Sequence, residues 1–176
     1  DRLPLDLDPG LTFGTGAHAT TRLCLTALEG LVRGGERVLD LGCGSGILSV
    51  AALRLGAASA LAVDIDDKCR TAAEENAGLN GIGPDRLSVL VGNILTDETA
   101  AERIGGGYDL VLANIVADVI IALAPRARGL LSPGGTFLCS GIIEGRSQEV
   151  EAALSAAGLV IRERREDNGW YAFTCQ

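Results

Sequence analysis

Residues 37–46, RVLDLGCGSG, run from a short apolar segment straight into three alternate glycines, and a helical pattern, ILSVAALRLG, follows at once. This unit limits the fold more than any other part of the chain. An apolar run that ends in glycine reads as a parallel strand buried on both faces. Glycines that open a helix allow the backbone to approach a ligand where a β-carbon would stand in the way. The helical pattern stops at Gly56, a C-terminal glycine.

The rest of the chain repeats the alternation. ALAVDI (60–65), LSVLVG (87–92) and YDLVLANI (108–115) read as further strands. Residues 66–81 read as a helix with Asp66 and Asp67 as N-cap candidates and Gly81 at its end. VADVIIALAPRARGLL is an apolar helix that Pro125 would bend or divide, and SPGGTFLCSG is a turn followed by a fifth strand. SQEVEAALSAAG is a last helix. LVIRERRED and GWYAFTCQ flank Asn168-Gly169, the strongest short hairpin signal. The expectation is a doubly wound, mostly parallel α/β sheet of seven strands with a C-terminal antiparallel hairpin, in a single domain over 1–176. Within it, 1–35 would form a loop and the helix before the sheet, and 36–176 the sheet core.

The glycine motif also indicates a ligand class. Gly42, Gly44 and Gly46 are spaced GxGxG, not the GxGxxG that seats a dinucleotide pyrophosphate on a helix N-terminus. Asp40, at the strand end, would repel a phosphate and attract an ammonium. S-adenosylmethionine suits this pattern, with an ammonium, a carboxylate, a sulfonium and a ribose but no phosphate. Asp64 ends the second strand, twenty residues beyond Gly44, where a carboxylate can accept hydrogen bonds from both ribose hydroxyls. Ile65 and Ile94 are placed to sandwich an adenine. Asn93, in the turn after the third strand, is placed to accept a bond from the adenine amine or to serve as a plain turn residue. Asn114 ends the fourth strand, at the sheet edge where open α/β sheets bind ligands, and could also cap the next helix. It is followed by Ile115-Val116, not by Pro-Pro and an aromatic, which disfavours a planar acceptor.

Composition narrows the partners. The net charge of −8 makes the chain a poor general binder of nucleic-acid backbone and a better match to a basic partner or a small molecule. Apolar runs are broken by charge or proline before the roughly 18–20 residues that a membrane span needs. No charged-then-apolar leader opens the chain, and a cytoplasmic location is expected. The five cysteines form no CxxC pair and read as buried reduced thiols. The chain starts at Asp1 and contains no methionine, so a domain cut from a longer protein is expected.

DPGLTFGTGAHATTRLCLTALE, VLDLGCGSGILSVAALRLGA, VDIDDKC, DLVLANI and LSPGGTFLCSGI together resemble the ribosomal protein L11 methyltransferase (PrmA-type) family. GxGxG alone marks a very large superfamily; FGTGxHxTT at its spacing from DLGCGSG is much more specific. The resemblance implies a seven-stranded methyltransferase sheet and S-adenosylmethionine as cofactor. It implies that Thr21, Gly42, Asp64 and Asn114 contact that cofactor, and that Phe13, Gly14 and His18 lie in a loop covering it. Gly14 and Gly16 would serve that loop as hinge and close-approach residues, with Thr20 or Thr21 capping the next helix or reaching the methionine end. It further implies methyl transfer to lysine side-chain amines or an N-terminal amine of a ribosomal protein. The family's separate N-terminal recognition domain is expected to be absent. Asn114 and His18 are the candidate catalytic residues, Asn114 to orient the acceptor amine and His18 to accept a proton or hold the loop. A small-molecule methyltransferase, a nicotinamide-dependent oxidoreductase and a non-catalytic cofactor-binding module stay open as alternatives.

Overall fold

The structure, a computed structural model, describes residues 3–8 and 16–176, so the expectations for Phe13 and Gly14 lie outside the described residues. The chain folds as α1 (Ala19–Leu31), β1 (Arg37–Leu41), α2 (Ile47–Leu55), β2 (Ser59–Asp64), α3 (Lys68–Leu79) and β3 (Leu87–Val91). It continues through α4 (Glu98–Ile104), β4 (Tyr108–Asn114), α5 (Ala117–Leu130) and β5 (Leu131–Ile143), then a 3₁₀ turn (Glu144–Arg146). It closes with α6 (Ser147–Ala156), β6 (Ile161–Asp167) and β7 (Trp170–Cys175).

The sheet has seven strands in the order β3-β2-β1-β4-β5-β7-β6. β1 to β5 are parallel, and β7 runs antiparallel to both β5 and β6. The seven-stranded α/β sheet and its terminal hairpin are as the sequence predicts. Asn168 (φ 52°) and Gly169 (φ 77°) both take positive φ, the geometry a tight two-residue hairpin needs.

Side-chain alternation divides the core between the two faces. Val38, Leu110, Leu112 and Leu138 point to the face covered by α1, α2 and α3. Leu39, Leu41, Val111 and Phe137 point to the face covered by α5 and α6. Asp40 shares the parity of Val38, so its side chain points under α2 and not outward from the strand end.

The local details depart from expectation in four places. α4 was not anticipated, although Asp97 caps it by accepting from the Ala100 N–H at 3.0 Å. Asp67 occupies the α3 N-cap position but makes no side-chain cap bond; the neighbouring Asp66 carboxylate accepts from the Lys68 N–H instead. α5 runs through Pro125 as one helix. SPGG belongs to β5 rather than preceding it, and the β4–β5 register jumps there from Tyr108↔Leu131 to Leu110↔Thr136.

Residues 3–8 are fastened to α3 by two asparagines one turn apart. The Asn80 amide bonds both the N–H and the C=O of Asp6, at 3.1 and 2.7 Å. Asn76 accepts from the Asp8 N–H at 2.9 Å and donates to the Ser45 carbonyl at 2.8 Å, joining this segment to the glycine motif.

A very tight backbone approach lies where β4 ends. A β-carbon on Gly141 (φ +92°) would stand 2.1 Å from the Ile115 carbonyl oxygen. Gly141→Ala should therefore cost about 2 kcal/mol or more of unfolding free energy. Gly145→Ala, where the added carbon meets open space, is the control. Urea unfolding of both variants checks this; equal midpoints would show that the approach is not a constraint.

Candidate functional site

A cleft of about 800 Å³ opens at the carboxyl ends of β1 to β4. It sits at the switch point where the crossovers from β1 and from β4 leave in opposite directions along the sheet, the usual ligand position in open α/β folds. Its size is typical of a small-molecule site.

The β1 turn is sewn to the end of β2. The N–H groups of Gly42 and Cys43 both donate to the Val63 carbonyl, at 2.8 and 3.0 Å. The Gly44 N–H donates to Asp64 Oδ2 at 2.9 Å, and the Asp66 N–H donates to Asp64 Oδ1 at 3.0 Å. A carboxylate offers about four acceptor positions, and the Cys69 thiol also bonds this one, so Asp64 keeps capacity for a further donor on the cleft it lines.

The three motif glycines serve different ends. All have positive φ. Gly42 and Gly44 line the cleft, whereas Gly46 does not. A β-carbon on Gly46 would press 2.8 Å from the Ala73 β-carbon, so this residue permits α2 and α3 to pack. One on Gly42 would meet the Ile115 side chain at 2.3 Å.

Asp40 is also absent from the cleft lining. It is 1 % exposed and accepts from the Ser49 hydroxyl at 2.7 Å. Burial raises its pKa to about 6 against the opposing Ser49 hydrogen bonds, with the Asp64 charge adding to the rise. Burial, followed by the Asp40 charge, pushes the Cys24 thiol up to about 12, and all five cysteines are buried free thiols.

Beyond β2 and β3 the wall sets apolar side chains among Asp66, Lys68 and Asn93. Ile65 is 73 % exposed, a large aliphatic side chain left facing the cleft, and Ile94 and Leu95 lie across from it on the β3 loop. Asn93 lines the cleft as well, but its side-chain oxygen accepts from the Leu95 N–H at 2.9 Å. That bond makes Asn93 a turn-forming residue with one acceptor lone pair remaining.

The opposite wall is built from β4, α1 and the hairpin. Asn114 lines it and donates to the Thr21 hydroxyl at 3.5 Å. It does not cap α5, whose N-cap is Val116 with no side-chain bond. Thr21 is buried behind Asn114, and Thr20 is the threonine on the cleft surface. Neither threonine caps α1. His18 does, through Nδ1, which accepts from the Thr20 N–H at 3.2 Å and lies 2.8 Å from the Thr20 hydroxyl. An Nδ1 that accepts a backbone hydrogen bond places the proton of the neutral ring on Nε2.

The sequence reading missed Trp170. Its ring meets His18 edge-on, with centroids 5.0 Å apart and planes at 72°, and both line the cleft. A signal was present. A final strand that runs antiparallel begins at the same sheet edge where the parallel strands end, so the first residue after Asn168-Gly169 falls at the ligand edge. Of the predicted residues, the structure thus gathers Gly42, Gly44, Asp64, Ile65, Asn93, Ile94, Asn114 and His18 around one cleft. It leaves Asp40, Gly46 and Thr21 behind its walls.

Known proteins resemble this chain in sequence and in fold. The model of the family "Ribosomal protein L11 methyltransferase (PrmA)" matches residues 1–176. A ribosomal protein L11 methyltransferase of Pelotomaculum thermopropionicum is 50 % identical over 175 residues, covering 99 % of this chain and 54 % of that protein. The crystal structure of a ribosomal protein L11 methylase from Lactobacillus delbrueckii subsp. bulgaricus superimposes with a TM-score of 0.86 at 37 % identity, covering 97 % of this chain and 83 % of the other. Fibrillarin from Aeropyrum pernix, solved with natively bound S-adenosyl-L-methionine, aligns with a TM-score of 0.69 over 88 % of this chain and 74 % of its own; at 17 % identity this shows a shared fold only. The chain spans about half the length of the curated relatives it matches.

The buried acid gives a test by pH. Its pKa of about 6 in the fold lies above the unfolded value near 3.9, so the stability its protonated form contributes is complete below about pH 4. That stability is lost as pH rises through 6. Asp40→Asn removes the titration, so the stability gap between variant and parent should shift in the variant's favour by roughly 1–3 kcal/mol between pH 4 and 7. Urea midpoints taken across that range measure it; a gap that stays constant with pH would show that Asp40 titrates as it does in water.

Proposed function

We propose that this chain, which belongs to the ribosomal protein L11 methyltransferase family, uses S-adenosylmethionine to methylate protein amines. The acceptors are lysine side chains or an N-terminal amine, most directly those of an L11-like ribosomal protein. One observation carries the cofactor assignment: Asp64, at the end of β2, faces the cleft with acceptor capacity left after it has fixed the Gly44 and Asp66 amides.

The residues present suit the cofactor. Asp64 would accept from the ribose hydroxyls. Ile65 and Ile94 offer apolar surfaces for the two faces of an adenine, with the free lone pair of Asn93 toward its amine. Gly42 and Gly44 leave the cleft floor without side chains for the methionine portion to approach. Phe13 and Gly14, assigned through the family, belong to the same proposed set, while Thr21 acts from behind the wall by accepting from Asn114. Asp40 and Gly46 support it from behind, holding the turn and the helix on which the floor rests.

S-adenosylmethionine supplies an electrophilic methyl group on a sulfonium with a good leaving group, so the protein's share of the work is mainly alignment. Asn114 provides it, with the side-chain oxygen available to hold an acceptor amine while the amide nitrogen is fixed on Thr21. The apolar surroundings of Ile115, Val116 and Val119 disfavour an ammonium, which lowers the acceptor's pKa and frees its lone pair. His18 has the one basic nitrogen of its neutral ring engaged at the α1 cap, so it serves to hold this wall rather than to take the proton.

The acidic balance of the chain, −8, favours a basic protein as acceptor. The work would take place in the cytoplasm; among the described residues no helix is long and apolar enough to cross a membrane. Incubation with radiolabelled S-adenosylmethionine and purified bacterial L11 tests the activity directly, and label should appear on L11. Asp64→Ala should weaken S-adenosylmethionine binding by roughly 1–3 kcal/mol, measured by calorimetry. Unchanged affinity would remove the ribose assignment.

A further inference from the structure

We infer that Arg22 is a positioning residue that sets the acceptor-side wall of the cleft by clamping His18 and Trp170 into register, an inference that rests on the methyltransferase reading above. The guanidinium lies on α1 and faces two segments at once. Nε and Nη2 both donate to Asp167 Oδ2, at 3.1 and 2.7 Å, and Nη1 donates to the Ala17 carbonyl. Ala17 precedes His18. Asp167 ends β6 and is the cross-strand partner of Trp170. One side chain therefore fixes the residue next to each ring of the edge-on pair.

The hairpin is rigid enough to transmit this restraint. The Gly169 N–H donates to Glu166 Oε1 at 2.7 Å, Asn168 Nδ2 donates to Asp167 Oδ1 at 2.7 Å, and the Glu144 N–H donates to the Gly169 carbonyl at 2.9 Å. The turn is thus held together and tied to the 3₁₀ segment, and the Arg22 bonds add the directed link from it to the start of α1. At 47 % and 30 % side-chain exposure, the Arg22–Asp167 pair lies in the range where ion pairs add little to stability. A planar guanidinium with three directed donors still fixes orientation closely. Losing it should displace the wall far more than it destabilises the fold. The wall lies beside Asn114, so its displacement is felt by the acceptor rather than by the Asp64 end of the cleft.

Trp170 is the sole tryptophan of the chain, so intrinsic emission reports on this wall alone. In Arg22→Gln the emission should shift to longer wavelength and acrylamide quenching should rise, with the urea midpoint unchanged. With L11 as acceptor, kcat/KM should fall about ten-fold, the scale of a small misplacement of reacting groups, while the Kd for S-adenosylmethionine holds. The charge swap Arg22→Asp with Asp167→Arg should recover part of the emission and of the acceptor kinetics, a rescue that a purely structural role would not produce. Emission and quenching identical to the parent, or a loss of acceptor turnover matched by equal loss of cofactor affinity, overturns the inference. The emission is read without cofactor or acceptor. A parent chain that transfers no methyl group while the Arg22→Gln shift is present would overturn the proposed activity and leave the clamp supported.

Discussion

The ligand edge of this protein depends on one close passage, that of Ile115 across Gly141 and Gly42. The Ile115 N–H donates to the Ser140 carbonyl at 3.0 Å, its own carbonyl lies where a Gly141 β-carbon would be, and its side chain rests against Gly42. These contacts bring the ends of β1, β4 and β5 closer together than side-chained residues would allow. Asn114 is fixed by its neighbour's passage, and the floor beneath it is the glycine turn. β5 bulges at the same place, where its register with β7 shifts between Ser140 and Ile142, which sets the angle at which the hairpin and Trp170 reach the cleft.

Two aspartates on adjacent strands show how environment divides one chemistry into two tasks. Asp40 and Asp64 both lie near strand ends beside the glycine motif. Asp40 points beneath α2, bonds to Ser49 and is desolvated, so its charged form is disfavoured. Asp64 sits at the open end of β2 and is held by two backbone amides. The first is suited to packing the base of the motif, the second to meeting a hydroxyl-rich ligand. The same economy appears in the histidine. His18 closes the start of α1 through one ring nitrogen and lines the cleft with the rest of the ring, so a capping role and a place in the site coexist.

Much of the architecture was legible because periodicity and punctuation are local. Buried strands ending in glycine, helices stopping at Gly56 and Gly81, and a hairpin at Asn168-Gly169 follow from backbone preferences that neighbouring residues express alone. The short helix α4 was legible in principle, through Asp97 as its cap, but at 7 residues it carries too little apolar pattern to stand out. The β5 start was misread because Pro and Gly usually end a strand, whereas here β4 holds the irregular segment in the sheet through the Tyr108↔Leu131 pair. Within the site, Asp64, Ile65, Asn93, Ile94 and Asn114 were legible because each ends a strand or lies within three residues of its end, where an α/β sheet exposes its ligand edge.

The sequence by itself determined the alternation of elements, the glycine turn after β1, the positions at the strand ends and the family to which the chain belongs. Tertiary structure alone decided which of those positions face the cleft. Strand parity turns Asp40 under α2, and helix packing claims Gly46 for Ala73. The antiparallel return of β7 carries Trp170 across the sheet to His18, 152 positions earlier in the chain. Local sequence sets backbone preference over a few residues. The direction in which a side chain points, and what it meets there, is set by the register and packing of strands far apart in the chain.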